Sequence, residues 1–136
     1  MNKLKIQLYV ILLSISLISP KSAQAFVACV KAQLGKPYQW GGAGPNSFDC
    51  SGLCYYCYDR QIPRTTYDQI KGGRAGDGSA GDIVLFGQGS PTHAGACVGG
   101  GRMIHAPTTG QNVQYRQYLG DSYYGKRIMA YRRYWS

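Results

Sequence analysis

The chain has 136 residues and a formal net charge of +9, and 44% of its residues are hydrophobic. This length predicts one domain with a modest core, and the excess of basic residues would suit an anionic matrix. Nucleic acid would be another anionic partner, but the sequence has no basic helix or recognisable nucleic-acid motif, so no nucleic-acid partner is expected.

The first 25 residues have the pattern of a signal peptide. Two lysines precede the apolar run 8–18, and Ala23-Gln24-Ala25 resembles a small-residue cleavage site. A retained membrane anchor is the alternative, although the run is short for a helix that crosses a membrane. A lipoprotein box ending at Cys29 is another alternative, although such a box would directly follow the apolar run. We predict a signal peptide over residues 1–25 and one secreted domain, extracellular or periplasmic, over residues 26–136.

The first half of that domain has helical patterns. Apolar residues from Phe26 to Leu34 share one helical face, and the glycine and proline that follow predict the end of the helix. After a glycine-rich loop over residues 38–47, Asp49 can cap a second helix that runs towards residue 59. Thr65 can cap a short third helix.

The second half has strand patterns, and the triglycine Gly99-Gly100-Gly101 predicts a hairpin turn. Helices followed by a strand meander predict an α+β fold, with N-terminal helices packed on an antiparallel sheet of about five strands. A cluster of basic residues near the C-terminus is interpreted as a solvated strand edge. The predicted strands are residues 82–86, 93–98, 102–105, 113–116 and 128–134. The basic cluster is Lys126, Arg127, Arg132 and Arg133.

The chain has five cysteines: Cys29, Cys50, Cys54, Cys57 and Cys97. An odd number in an exported protein predicts disulfides plus one free thiol, and Cys50 is the predicted free one. The pairing of the other four stays open, with at least one bridge expected. Cys54-x-x-Cys57 would need a βαβ context for a redox motif or two further ligands for zinc, so neither is predicted.

One cysteine and the only two histidines form a candidate catalytic set. At a helix start, the dipole and unpaired N–H groups would lower the pKa of the Cys50 thiol. His93 could be the general base, and His105 on the next strand could bond its far nitrogen. Tyr38 could donate its hydroxyl to an oxyanion together with the Cys50 N–H. The alternatives are a bridged cysteine and structural histidines.

The alternation of side chains along the strand allows the candidate catalytic set to be checked, because His93 and Gly95 lie on the same face of the strand. Gly95 is expected to leave room on that face for the catalytic helix.

The residues around these positions extend the pattern over nearly all of residues 26–136. In order and spacing they resemble the NlpC/P60 family, whose members have a minimal papain-like fold. The segments that carry the resemblance are Leu34-Gly35-Lys36-Pro37-Tyr38-Gln39-Trp40-Gly41-Gly42, Phe48-Asp49-Cys50-Ser51-Gly52-Leu53, Ile62-Pro63-Arg64-Thr65-Thr66, Gly81-Asp82-Ile83-Val84-Leu85-Phe86, His93-Ala94-Gly95 and Met103-Ile104-His105-Ala106.

The resemblance implies a role for each candidate. By position, Cys50 resembles the family's nucleophile, His93 its base, His105 its third polar residue and Tyr38 its active-site tyrosine. Asp49 and Ser51 resemble substrate-contacting positions, and Asp49 could meet the free amine of a stem peptide.

Two of the substrate-side residues also have structural alternatives. Asp49 could be a plain helix cap, which is compatible with a role in binding. Arg64 could contact substrate or serve only as an ion-pair partner.

The resemblance also implies a cysteine peptidase that hydrolyses peptidoglycan stem peptides, in many members between D-γ-glutamate and the diamino acid, and the signal-peptide pattern predicts that it is secreted. We expect it to use no cofactor or metal and to act as a monomer without a stable membrane anchor. An amidase or acyltransferase of the same fold and a non-catalytic wall-binding protein are the alternatives.

Overall fold

The computed structural model describes residues 21–136, and its helices and strands are numbered here in chain order within that range. The helices are α1 (Ala23–Ala32), α2 (Cys50–Cys57) and α3 (Thr66–Gln69). The strands are β1 (Arg74–Ala75), β2 (Ile83–Gln88), β3 (Ser90–Gly99), β4 (Arg102–His105), β5 (Gln114–Gln117) and β6 (Ile128–Arg133).

The strands form one antiparallel sheet in the order β1-β6-β2-β3-β4-β5. This confirms the predicted α+β class, with six strands in the described residues rather than about five. The additional strand is β1, whose two residues are too few to show an alternating pattern; Arg74 of β1 pairs with Arg133 of β6. The predicted hairpin joins β3 to β4, and its glycines at positions 99, 100 and 101 all have positive φ.

The helices cover one face of the sheet and bury the larger core cluster. Phe26 and Val30 of α1 and Leu53 of α2 pack there with Ala94 and other inward residues of the central strands. A smaller cluster lies on the opposite face and consists of Val84, Phe86, Cys97, Met103 and Tyr118. The site described below lies where α2 meets β3.

Helix α2 packs on the face of the sheet opposite to the predicted one, which was the face of Gly95. The helix packs against the face of Ala94 and Ala96, which belong to the larger core cluster. Gly95 points the opposite way, and a Cβ added there would collide with the Met103 sulfur. The expected role of Gly95 in admitting the helix is therefore wrong, and two alanines leave that room instead.

The predicted signal peptide lies mostly outside the described residues and stays a prediction. Its cleavage segment, Ala23-Gln24-Ala25, forms the first turn of α1, where the Ser22 hydroxyl accepts a hydrogen bond from Ala25 N–H at 3.0 Å. Phe26 is fully buried and stacks on Tyr58 with ring centroids 4.0 Å apart. No helix within residues 21–136 has the length and apolar character to cross a membrane.

One disulfide is present, between Cys29 of α1 and Cys57 of α2. The expectation of at least one bridge is confirmed. The expectation that Cys50 is the one free thiol is wrong, because Cys54 and Cys97 are also unbridged. Both are fully buried, one under each face of the sheet, so they serve as small core residues.

The basic cluster is not a solvated strand edge throughout. Strand β6 lies between β1 and β2, and Arg133 points to the fully buried Asp82, with Nε 2.7 Å from Oδ1. Trp135 Nε1 donates to the same oxygen at 3.0 Å. Arg132 donates to the Gly72 carbonyl at 2.8 Å. The edge interpretation is wrong for these two arginines, because both donate to groups from other parts of the chain.

The cysteine arrangement predicts a distinctive pattern of alkylation. In the folded, unreduced protein only Cys50 should react quickly, because it lines the main cleft described below while Cys54 and Cys97 are fully buried and closed to the reagent. After denaturation without reductant, these three cysteines should be labelled while Cys29 and Cys57 stay linked. Peptide mass spectrometry measures both states. Labelling of all five cysteines without reductant would contradict the bridge.

Candidate active site

The start of helix α2 is built to hold Cys50 in place. Asp49 is the N-cap, with an extended backbone, and its Oδ1 accepts a hydrogen bond from Gly52 N–H at 2.6 Å. Gly52 lies so close to the Gly42 carbonyl that an added Cβ would collide with it. The glycine-rich loop and the cap therefore set the position of Cys50 together.

The Cys50 thiol is protonated in the resting protein. Burial raises its pKa, while the N–H groups of Ala94, Ser51 and Cys50 itself offset part of that rise. The expected lowering of the thiol pKa at the helix start is wrong here, because loss of hydration disfavours the thiolate more than the nearby N–H groups stabilise it.

Asp49 and Arg64 form a bidentate ion pair beside the thiol. The two guanidinium NH₂ groups lie 3.0 Å from Oδ1 and 2.7 Å from Oδ2 of Asp49. Arg64 also donates to the Ser51 hydroxyl at 2.9 Å, and Gly41 N–H donates to Asp49 Oδ2 at 3.2 Å. The helix cap and the structural ion pair raised as alternatives are both present, and both side chains still border the cleft.

The two histidine rings contact each other as the hairpin predicted. His93 Nε2 lies 2.8 Å from His105 Nδ1, with the rings nearly perpendicular. One of these nitrogens must carry the hydrogen. With the hydrogen on His93 Nε2, the His93 Nδ1 lone pair is left as a proton acceptor, and we assign this tautomer on that basis.

An aromatic shield, formed by Phe86 and Tyr124, packs around the histidines. The Tyr124 ring centroid lies 5.7 Å from that of His93 and 5.4 Å from that of His105, and Phe86 lies 5.8 Å from His93. Burial lowers the pKa of His93 to about 4. Burial, together with His93 and the positive charge of Arg116, lowers the pKa of His105 to about 3. Both rings are therefore neutral at neutral pH.

A cavity of about 680 Å³, the main cleft, opens above the thiol. His105 lies behind His93, is 2% exposed and does not line it. No hydrogen bond joins Cys50 to His93 within the part of the chain that the structure describes. The other six predicted site residues line the cleft: Tyr38, Asp49, Cys50, Ser51, Arg64 and His93.

The loop between β5 and β6 positions Tyr124 and was not predicted as part of the site. Asp121 Oδ2 accepts hydrogen bonds from the N–H groups of Tyr123 and Tyr124, at 2.9 and 2.7 Å. Arg116 pairs with Asp121 at 2.7 Å and lies over the Tyr124 ring, 5.4 Å from its centroid. Only the density of tyrosines near this loop could have drawn attention to it.

Gln69 is another residue of the site region that the sequence did not indicate. It is fully buried, and its Nε2 donates to the carbonyls of Ser51 at 3.1 Å and Pro63 at 2.9 Å. It thereby ties the first turn of α2 to the segment that carries Arg64. Two exposed aromatic residues, Trp40 and Tyr67, also line the cleft and were not predicted.

The site residues offer no evident metal centre. Among residues 21–136, no group of three or more His, Cys, Asp or Glu side chains is arranged to hold a metal ion. What the arrangement offers is a thiol, a neutral imidazole with one free lone pair, and a second imidazole that bonds the first. Those groups can perform nucleophilic and general acid–base chemistry.

Comparison with known proteins finds bacterial peptidases among the relatives of this chain. The chain is 40% identical over 110 residues to a gamma-D-glutamyl-L-lysine dipeptidyl-peptidase from Bacillus subtilis (strain 168), covering 74% of this chain and 37% of the relative. It is 39% identical over 114 residues to murein DD-endopeptidase MepH from Escherichia coli (strain K12), covering 74% and 42%. The chain thus spans less than half the length of these relatives.

Solved structures and a family profile agree with these relatives. An NlpC/P60 family protein from Bacillus cereus ATCC 10987 superposes with a TM-score of 0.78 at 32% identity, covering 88% of this chain and 42% of that one. NlpC1 from Trichomonas vaginalis gives a TM-score of 0.76 at 33% identity, covering 84% and 44%. The profile of the NlpC/P60 family matches residues 35–133. The chain belongs to the NlpC/P60 family.

Proposed function

We propose that this chain is a cysteine peptidase that hydrolyses an amide bond in peptidoglycan stem peptides, between the D-γ-glutamyl residue and the diamino acid. One observation carries the proposal: Cys50 at the start of α2 and His93, backed by His105 at 2.8 Å, line the same cleft. The names of the relatives from Bacillus subtilis and Escherichia coli support the substrate class.

The first half of the reaction begins from neutral groups. His93 Nδ1 takes the proton of the Cys50 thiol, and the resulting thiolate attacks the carbonyl carbon of the scissile amide. Burial disfavours each charge separately, but the thiolate and imidazolium form together and attract one another. His105 accepts the hydrogen bond from His93 Nε2–H, so it keeps the ring oriented and stabilises its charged form.

The oxyanion and the leaving amine complete the cycle. The Tyr38 hydroxyl and the Cys50 N–H donate to the oxyanion. Burial, with the nearby Cys50 and Asp49, raises the pKa of Tyr38, so its hydroxyl keeps its proton. When the C–N bond breaks, the amine takes the proton from His93. Water, deprotonated by the same ring, then hydrolyses the thioester and restores the thiol.

The Asp49 side of the cleft receives the acyl half of the substrate. Asp49, Ser51 and Arg64 lie together there, and the Asp49 carboxylate can accept a hydrogen bond from a free stem-peptide amine. Arg64 neutralises most of that carboxylate's charge, so discrimination on this side rests on hydrogen-bond geometry as much as on charge.

The chain is proposed to act outside the cytoplasm. The bridge between Cys29 and Cys57 supports this, because disulfides persist in oxidising compartments. The signal peptide over residues 1–25, action as a monomer and the absence of a stable membrane anchor belong to the same proposal.

Replacing the nucleophile tests the proposal directly. We expect Cys50→Ala to lower the release of peptide fragments from purified peptidoglycan by at least about 10³-fold, because Cys50 is the only thiol within residues 21–136 that lines the cleft. Mass spectrometry of the fragments measures the loss, and circular dichroism checks the fold. Cys54→Ala, one turn along the same helix and outside the cleft, is the matched control. Retained hydrolysis by folded Cys50→Ala would refute the assignment.

The two histidines should differ in their sensitivity to substitution. His93→Ala removes the base and should cost at least about 10³-fold in kcat/KM. His105→Asn keeps a hydrogen-bonding group for His93 and should cost about 10-fold, and His105→Ala about 100-fold. Steady-state kinetics on a synthetic stem peptide separate the three variants. Equal loss in His105→Asn and His93→Ala would contradict this division of roles.

Shielding of the histidines should extend the pH range of activity to acidic values. The base is active when neutral, and its lowered pKa of about 4 means that activity is present above that value and lost as pH falls through it. Removing part of the shield in Tyr124→Ala should move the acid limb of kcat/KM up towards the ordinary value of about 6.5. Profiles of kcat/KM against pH measure the acid limb of the wild type and of the variant, over the pH range where circular dichroism shows native protein. A wild-type limb near 6.5 would contradict the shielding.

A further inference from the structure

A second cavity borders His93 and is lined by neither Asp49 nor Cys50. It has a volume of about 380 Å³ and shares Thr92, His93 and Pro107 with the main cleft. The two cavities therefore adjoin at the histidine, and together they are called the groove. A peptide bond held over Cys50 would extend along this groove in both directions.

The two ends of the groove differ in charge. The main cleft contains Asp49 and Arg64, which neutralise each other. The second cavity contains a single permanently charged side chain, Arg127, beside the neutral polar groups of Thr108, Gln111 and Tyr123. This end of the groove is therefore suited to a negatively charged group.

Arg127 is held in position without being neutralised. Its guanidinium carbon lies 3.9 Å from the centroid of the Tyr123 ring, and its Nη1 donates to the Tyr123 carbonyl at 2.8 Å. No carboxylate within residues 21–136 pairs with it, whereas Arg64, Arg116 and Arg133 each pair with an aspartate. The stack fixes the plane of the guanidinium and leaves N–H groups for a ligand.

We propose that this second cavity binds the leaving half of the substrate, and that Arg127 selects a leaving amino acid with a carboxylate on its side chain. The inference rests on the proposed function, which puts the acyl half beside Asp49. The leaving amine must lie next to His93, which protonates it. The rest of that residue then enters the cavity beyond Thr92 and Pro107.

The position of Arg127 indicates which carboxylate it meets. The wall shared with the main cleft is formed by Thr92, His93 and Pro107, and Arg127 lines only the second cavity. An anion bound by Arg127 is thus away from the scissile bond, as a side-chain carboxylate would be. Diaminopimelate carries such a group and lysine does not, so the chain should prefer a diaminopimelyl leaving group.

Two synthetic peptides isolate this one group. Both have the sequence L-alanyl-γ-D-glutamyl-X with a C-terminal carboxamide, where X is diaminopimelate or lysine. The only free carboxylate on the leaving residue is then the side-chain group of diaminopimelate. We expect wild-type kcat/KM to be about tenfold higher for the diaminopimelate peptide, mostly through KM.

Variants at Arg127 should abolish the preference. Arg127→Leu should lower kcat/KM about tenfold for the diaminopimelate peptide and change it less than about twofold for the lysine peptide. Arg127→Lys, which keeps the charge, should restore part of the difference. Arg102→Leu is the matched control, because Arg102 also stacks on a tyrosine, with its guanidinium carbon 4.5 Å from the Tyr115 centroid, and lines neither cavity. It should leave both rates unchanged.

The outcomes separate this inference from the proposed function. If wild type cleaves neither these peptides nor purified peptidoglycan, the proposed function is wrong. If it cleaves both peptides equally well, or if folded Arg127→Leu slows both equally, the function stands and the role of Arg127 is overturned.

Discussion

The carboxylate of Asp49 is the interaction on which the rest of the site depends. Its two oxygens accept hydrogen bonds from the glycine-rich loop at Gly41, from the first turn of α2 at Gly52, and from Arg64. The loop, the helix start and the segment that carries Arg64 are thereby held together at one point. Cys50 follows directly in the chain, so its position against β3 is set by the same contacts.

Loss of hydration sets the chemistry of the neutral state. Burial raises the pKa of the Cys50 thiol and lowers that of both histidines, so the resting groups carry no charge. Under the proposed mechanism, charge develops only as a thiolate–imidazolium pair when substrate excludes the remaining water. The shield of Phe86 and Tyr124 thus has two effects: it keeps the base neutral and it limits the approach of solvent.

The two halves of the fold contribute different parts of the proposed groove. The helical half supplies the nucleophile and the neutralised cluster of Asp49 and Arg64. The sheet and the loop before β6 supply the base and an unneutralised guanidinium at Arg127. Because these parts come from separate segments, substitutions in the loop could alter selection of the leaving group without moving the thiol.

Sequence alone determined features that depend on neighbours along the chain. The Asp49 cap with Cys50 in the first helical turn and the glycine hairpin that brings His93 to His105 were predicted from local patterns, and the structure contains both. What only the tertiary structure decided depends on residues far apart. The partner of Cys29 lies 28 positions away, and Arg133 reaches Asp82 across 51. The direction of the Cys50 pKa shift belongs to this second group, because the N–H groups of Cys50 and Ser51 at the helix start favour the thiolate while burial by the whole fold disfavours it.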